Sequence, residues 1–214
     1  MENPVVAYEY KDALYLNITN RCPTSCLFCI KRKWEMKYRG NNLNLAGKEP
    51  SFEEIISQIE KKAENKKYPE IVFCGYGEPT ERFEILKKIT AAAKSGNIKG
   101  VTKNVKIRIN TNGLGNLING YDITAEMKGI IDSVHISLNS HNKENWIKFM
   151  RPAPKYEKEG FESVLDFISK AKKNIPEVFI TAIENLEPDK EGLKKLSERL
   201  GVRLRLRPEL ENEN

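Results

Sequence analysis

Apolar and polar positions alternate along several short stretches of the chain, and amphipathic helical patterns fill the intervals between them. Leu14, Leu16 and Ile18 alternate with Tyr15, Asn17 and Thr19, and Val105, Ile107 and Ile109 alternate with Lys106, Arg108 and Asn110. The pattern recurs as Val134, Ile136 and Leu138 against His135, Ser137 and Asn139, and as Val202, Leu204 and Leu206 against Arg203, Arg205 and Arg207. A period of two marks a strand with two unlike faces. Six strands are predicted, at 14–19, 70–74, 105–110, 133–138, 178–183 and 202–207.

The helices between them carry their own start and stop signals. Ser51 with Glu54 forms a capping box ahead of a stripe of Phe52, Ile55, Ile56 and Ile59. Thr80 is expected to cap the next helix, whose stripe is Phe83, Leu86, Ile89 and Ala93, with Gly96 closing it. A short helix is expected from Thr124 to Ile131, and another over 142–150, stopped by Arg151-Pro152. Phe161, Val164, Leu165, Ile168 and Ala171 line one face of a helix over 160–174, and a last helix over 188–200 ends at Gly201. Alternating strands and helices predict a parallel sheet with right-handed crossovers. With no linker or repeat, a single domain is expected over residues 1–214.

Parallel strands covered on both faces usually read as continuous apolar runs. These alternate instead, so the apolar set is expected to face the helices and the polar set to line an open concave side. That side would hold amides, hydroxyls and several cations, which suits a polar or anionic ligand. Arg203 reads as a solvated edge residue, Arg205 and Arg207 as either edge or lumen residues, and His135 as an interior histidine.

Composition narrows this only modestly. The formal net charge is +6, and paired lysines such as Lys61-Lys62 and Lys172-Lys173 sit on predicted helices, where they read as solvated faces rather than a contiguous nucleic-acid surface. The acidic stretch 209–214 reads as a frayed end. No apolar run approaches the ~20 residues that span a bilayer, and the first residues lack the basic and apolar regions of a secretory signal. Four cysteines, three of them grouped, do not make a disulfide framework, and a reducing cytoplasm is expected.

The grouped cysteines carry the chemistry. The first strand runs directly into Cys22, Cys26 and Cys29, spaced C-x-x-x-C-x-x-C. Three thiolates on one short loop can hold three irons of a [4Fe–4S] cubane and leave the fourth without a protein ligand. The alternative is zinc, which wants four ligands in a closed tetrahedron and could draw only on Cys74, His135 or His141 beyond these three. The spacing and the strand-then-loop placement favour a cofactor site. The connection 31–50, with Trp34 and Tyr38, reads as either a lid or a surface excursion.

The cysteine spacing, with Phe28 just before the last Cys, resembles the radical S-adenosylmethionine (SAM) superfamily. NITNRCPTSCLFCI and VFCGYGEPT together resemble, more narrowly, the TatD family-associated radical SAM proteins. The resemblance implies an α/β fold, an incomplete (β/α)6 TIM-like barrel, and an enzyme that cleaves SAM reductively to a 5′-deoxyadenosyl radical that takes hydrogen from a substrate. It implies Cys22, Cys26 and Cys29 as cluster ligands, Phe28 against the adenine, and Glu78 as acceptor for the SAM ammonium. Tyr76 stands where the family's Gly-Gly-Glu motif has its first glycine, while Gly77 keeps the second. Ser137 and Asn139 match the place of the ribose contacts, though the acid often found there is absent. Asn110, Asn112 and Arg207 are further candidates for SAM or substrate.

The implied partners are a flavodoxin- or ferredoxin-type reductant and a TatD-like metal-dependent hydrolase. No cysteine follows Cys74, so no auxiliary cluster is expected. Relatives of this size include glycyl-radical enzyme activases and ring-contracting enzymes of deazapurine synthesis. The contrasting non-enzyme reading is a zinc- or cluster-bearing module that senses redox state.

Overall fold

The computed structural model describes residues 4–210, apart from the side chain of Arg32; residues 211–214 of the acidic stretch lie outside it. The chain forms β1 (Ala7–Tyr10), β2 (Ala13–Leu16), α1 (Ile30–Lys33), β3 (Lys37–Tyr38), β4 (Asn41–Asn42), α2 (Phe52–Ala63) and β5 (Glu70–Phe73). A 3-10 turn over Pro79–Arg82 leads into α3 (Phe83–Ser95), β6 (Lys106–Thr111), α4 (Gly115–Asn119), α5 (Thr124–Met127) and β7 (Ser133–Ser137). Then come α6 (Lys143–Met150), α7 (Pro154–Glu157), α8 (Gly160–Asn174), β8 (Glu177–Ile183), α9 (Lys190–Leu200) and β9 (Arg203–Arg207).

The main sheet runs β1-β2-β5-β6-β7-β8-β9, with every neighbouring pair from β2 onward parallel and in chain order. These six parallel strands with helical crossovers are the predicted partial (β/α)6 barrel. The seventh strand, β1, pairs antiparallel with β2 and caps the sheet edge. It was not expected, because a four-residue strand beginning a tight hairpin is too short for a periodic signal. The small β3–β4 hairpin lies inside 31–50 and was also not expected.

The expected division of faces is observed. On the helical side, Leu14, Leu16, Phe73, Ile107, Ile109, Val134, Ile136 and Ile180 are buried against Ile55 and Ile59 of α2, Leu86 and Ile89 of α3, and Val164 and Phe167 of α8. Phe167 takes the fully buried place on α8, while Leu165 is only half-buried. On the other face, parallel register aligns Asn110 with His135, Ser137 with Thr181, and Thr181 with Arg205.

Three local expectations need correction. The capping box at Ser51 and Glu54 forms as expected. Thr80, however, caps nothing: it is buried in the 3-10 turn, and Glu78 caps that turn instead. The helix expected from Thr124 to Ile131 ends at Met127, because Gly129 takes a left-handed φ of +78°. Regular pairing of β2 stops at Leu16, since the chain beyond it turns its amides and hydroxyls to the connecting loops.

The concave face also carries less free charge than expected. Arg108 makes a two-pronged ion pair with Glu70 at 2.9 and 2.8 Å and donates to Asn110 Oδ1 at 2.9 Å. Burial works against this cation, but Glu70 and Tyr15 outweigh it and raise its pKa. Arg203 pairs with Glu177 at 3.3 Å and stacks over Phe179, as an edge residue would. Arg205 is exposed. Arg207 differs: it is half-buried, packs over the Phe28 ring at 5.6 Å, and has no ion-pair partner among the described residues. His135 lies edge-on to Phe179. Burial pushes its pKa down to about 4, with Arg108 and the β9 arginines adding to the effect.

The His135 ring proton is therefore expected to titrate near pH 4 in an NMR series. Its folded pKa lies below the ordinary 6.5, so the unfolded chain binds the proton more readily. The stability it contributes is full above about pH 6.5 and declines as pH falls towards 4. Titration near 6.5 would show a solvated ring.

Candidate functional site

The cysteine loop leaves the C-terminal end of β2, at the mouth of the barrel. Its backbone is sewn to the end of α6: Ser25 N–H donates to Arg151 O, Leu27 N–H to Phe149 O, and Ala153 N–H to Pro23 O. Within the loop, Thr24 Oγ1 lies 3.3 Å from both Cys22 Sγ and Cys26 Sγ. Cys26 also touches Met150 Sδ at 3.9 Å. All three cysteines are free and half-buried. Burial pushes the Cys26 thiol up to about 12 and raises Cys22, where the nearby Glu78 adds to the effect. As bare thiols Cys22 and Cys26 would be protonated at neutral pH, and a bound metal is what converts such thiols to thiolates.

The second part of the site is the elbow after β5. A Cβ on Gly75 would lie 2.2 Å from Asn17 Oδ1, and one on Gly77 would lie 2.2 Å from Thr19 O. These glycines let the elbow lie directly against the strand that feeds the cysteine loop. Asn17 Oδ1 accepts from Tyr76 N–H at 3.0 Å, and Glu78 N–H donates to Arg21 O at 2.8 Å. The elbow and the cysteine loop therefore share one backbone framework.

Glu78 sits at the centre of this framework, only 2% exposed. One carboxylate oxygen accepts from Thr80 N–H at 3.1 Å, Thr80 Oγ1 at 2.8 Å and Thr111 Oγ1 at 2.7 Å; the other accepts from Asn112 N–H at 2.7 Å. Burial raises its pKa, and these four donors oppose the shift. Asn112 Nδ2 in turn reaches Cys22 Sγ at 3.9 Å. The carboxylate thus ties the ends of β5 and β6 together directly beside Cys22.

A cavity of about 200 Å³ opens beside the loop, lined by Cys26, Phe28, Cys29, Gly75, Tyr76 and Arg207 among others. The structure brings together at this mouth Cys22, Cys26, Cys29, Phe28, Tyr76, Gly77, Glu78, Asn112 and Arg207. Tyr76 is anchored by its hydroxyl, which donates to Lys37 O. Asn110 lies deeper, between Arg108 and Cys74. Ser137 accepts from Asn139 Nδ2 at 2.8 Å on the neighbouring strand. Asn139 is fully buried at φ +61°, and its amide spans Ser137, Met150 Sδ and Ile183 N–H.

Sequence reasoning passed over Thr24, Met150, Thr111 and Gly75. Thr24 carried a usable signal, a hydroxyl midway between two cysteines. Met150, Thr111 and Gly75 act through contacts made across the fold. The connection 31–50 is not loose over its return limb. Asn17 Nδ2 and Asn20 Nδ2 both donate to Leu43 O, and Arg82 holds Pro50 O at 2.8 Å and Glu49 at 3.1 Å. Trp34 and Tyr38 stack on one another, and Tyr38 packs with Tyr8 and Tyr10 along the β1 edge.

The donor set can be tested against the two metal readings. Among the described residues, no three His, Cys, Asp or Glu side chains could hold one metal ion together. Structural zinc needs four such ligands in a closed tetrahedron. A cubane gives each cysteine its own iron, so three thiols on one loop, two of them lining the cavity, fit it better.

The chain matches the family model of the radical SAM superfamily over residues 16–195. A curated relative, a tungsten-containing aldehyde ferredoxin oxidoreductase cofactor-modifying protein of Pyrococcus furiosus, is 33% identical over 91 residues, 42% of this chain and 23% of the relative. Among solved structures, a radical SAM methyltransferase from Sphaerobacter thermophilus aligns with TM-score 0.61 at 16% identity, over 94% of this chain and 57% of that one. The FeFe-hydrogenase maturase HydG from Carboxydothermus hydrogenoformans aligns with TM-score 0.59 at 19% identity, over 92% of this chain and 44% of that one. The chain therefore spans between about a quarter and three fifths of the length of these relatives. Among the described residues, no helix is long and apolar enough to cross a membrane.

Proposed function

The chain belongs to the radical SAM superfamily, a family of enzymes, and from that premise we propose that Cys22, Cys26 and Cys29 hold a [4Fe–4S] cluster and that SAM binds in the adjoining cavity. When bound, the pair supplies one-electron cleavage of SAM to methionine and a 5′-deoxyadenosyl radical able to take hydrogen from a substrate. The observation that carries the reading is the joint between loop and elbow, where Gly77 lies on the backbone of Thr19 and the Glu78 carboxylate stands beside Cys22.

In this reading the chain's own residues bind, orient and exclude water. Phe28 offers an aromatic face to the adenine, stiffened by Arg207 on that ring. Glu78 fixes the elbow through four donors, and its second oxygen accepts a single one. That leaves it capacity to receive the SAM ammonium in a charge-assisted bond. Tyr76 forms part of the cavity wall. Asn110, Asn112, Ser137 and Asn139 lie outside its immediate lining and are assigned to SAM or substrate contacts further along the concave face, Asn139 by holding Ser137 in place. Arg207, a desolvated cation without an acidic partner among the described residues, suits a carboxylate or phosphate.

The substrate is then a polar or anionic molecule. The shared stretch with a cofactor-modifying protein makes a cofactor or its precursor one class to try. The narrower TatD-associated assignment, with a metal-dependent hydrolase as partner, rests on the two quoted motifs. Co-purification of such a hydrolase supports it, and failure to recover one from the native source removes it.

The test is anaerobic reconstitution. The purified chain is expected to take up about four irons and four sulfides and, once reduced, to release 5′-deoxyadenosine from SAM slowly without substrate. Binding of zinc alone, with no 5′-deoxyadenosine, would overturn the reading in favour of a structural or sensing module.

A further inference from the structure

The surface outside the cysteine loop is unlike the rest of the molecule. Leu27, between Cys26 and Phe28, is 39% exposed; Tyr121 is the other large hydrophobic so exposed among the described residues. Around it lie two segments of one sign. Residues 25–33 contain Lys31, Arg32 and Lys33, residues 148–155 contain Lys148, Arg151 and Lys155, and neither segment contains an acid. The backbone bonds from Ser25 to Arg151 and from Leu27 to Phe149 hold the two segments side by side. Lys33 pairs with Glu209, but Lys31, Lys148, Arg151 and Lys155 have no ion pair with a described carboxylate.

Arg151 adds a separate observation. It ends α6 in the left-handed region, at φ +45° and ψ +62°, and its side chain is exposed. Glycine or asparagine would hold that conformation at lower backbone cost. An exposed arginine there, without an ion pair to a described carboxylate, points to a use for its charge.

We propose that this face, which carries Leu27 and, on the two adjoining segments, Lys31, Lys148, Arg151 and Lys155, is the docking surface for an acidic one-electron carrier protein of the ferredoxin kind. The proposal rests on the cluster reading given above and adds where the electron enters. Electron transfer weakens steeply with distance, so a carrier must sit on the surface nearest the thiols, and Leu27 is covalently next to Cys26. In the step itself the carrier gives up one electron, and no bond forms or breaks. An exposed apolar residue beside unpaired cations suits a transient complex, in which complementary charge sets encounter rate and orientation. A nucleic acid would also meet the cations, but an exposed leucine among the same segments fits a protein partner better.

The experiment uses reconstituted enzyme and a small acidic ferredoxin. Calorimetric titration with oxidised ferredoxin measures affinity, and stopped-flow mixing with reduced ferredoxin measures transfer. Lys148→Glu, Arg151→Asn and Leu27→Gln are compared with Lys61→Glu, which reverses a charge on α2; asparagine is chosen because it tolerates the left-handed backbone. The expected result is roughly tenfold weaker binding and slower transfer in Lys148→Glu, a smaller loss in the other two, and no change in Lys61→Glu. Raised salt should weaken wild-type binding and narrow the difference. Dithionite-driven release of 5′-deoxyadenosine should match wild type in all four variants. Unchanged ferredoxin affinity in all three surface variants overturns the proposal, as does an equal loss in Lys61→Glu. A wild type that binds ferredoxin through this face, yet forms no 5′-deoxyadenosine with dithionite, supports the docking surface and sinks the cluster reading instead.

Discussion

Replacing Cys22, Cys26 or Cys29 singly by Ala is expected to strip the reconstituted protein of iron and sulfide and to reduce SAM cleavage to background, while Cys74→Ala keeps both. All four thiols are free, and burial raises the pKa of Cys22, Cys26 and Cys74 alike, so acidity does not distinguish them. Position does. The first three share one loop at the mouth, whereas Cys74 lies on the concave face near Asn110 and Arg108. The Ala variants should remain folded, because the loop is tied to α6 by backbone bonds that no cysteine side chain makes. Their melting temperatures without metal should stay close to wild type, since half-buried thiols contribute little packing. Iron and sulfide analysis with 5′-deoxyadenosine chromatography reads the outcome. Retained cluster in Cys29→Ala, or its loss in Cys74→Ala, would reassign the ligands.

The parallel core was legible because alternation and capping agreed along most of the chain. Ile107 and Ile109 went to the helices and Arg108 and Asn110 to the concave side, as a period of two requires. The antiparallel β1 escaped notice, since four residues ending at a hairpin give almost no periodic signal. The charge of the lumen was also misjudged, for a reason that alternation cannot reveal. Glu70 comes from the neighbouring strand and neutralises Arg108 only after the strands pair, whereas Arg203 lies at the edge as expected. Arg207 keeps its charge unanswered among the described residues because register places it opposite Ile183.

At the mouth, the cysteines and Glu78 could be read from spacing, whereas their supports could not. Thr111 comes from β6, some thirty residues after Glu78, and Met150 joins Cys26 to Asn139 from α6. Such contacts exist only in the fold. Gly75 is a similar case. Tyr76 breaks the Gly-Gly pair that draws the eye, yet the steric need for glycine falls on either side of it, at Gly75 and Gly77. That explains how a bulky tyrosine is accommodated: its backbone N–H is taken by Asn17, while its ring leaves the elbow for the apolar cluster with Tyr8 and Leu43.

Gly77→Ala is expected to damage the site more than its single methyl suggests. The added carbon would sit 2.2 Å from Thr19 O, 2.7 Å from Thr19 C and 2.8 Å from Arg21 O, all backbone atoms that no side-chain rotation can move. Either the elbow or the strand must shift. A shift of the elbow carries Glu78 away from Thr111 and Asn112, leaving buried donors without an acceptor; each unsatisfied group costs about 1–3 kcal/mol. A shift of the strand moves the base of the cysteine loop, because Glu78 N–H is bonded to Arg21 O. Either route couples lost stability to lost cofactor binding. The variant should melt several degrees lower, at roughly 2–4 °C per kcal/mol for a domain of this size, and should incorporate less iron. Glu78→Gln helps to separate the two effects, since it leaves the Gly77 contacts alone and removes the charge, although its NH2 must face either the Thr80 or the Asn112 N–H, which then loses its acceptor. It is expected to melt closer to wild type, retain the cluster, and bind SAM more weakly by about 1.5–3 kcal/mol, the range for a hydrogen bond to a charged group. Differential scanning calorimetry, iron analysis and SAM titration on the two variants measure all of this. A Gly77→Ala protein with wild-type melting and full iron content would mean that the elbow does not support the cysteine loop. Unchanged SAM affinity in Glu78→Gln would mean that the carboxylate's charge serves only the fold.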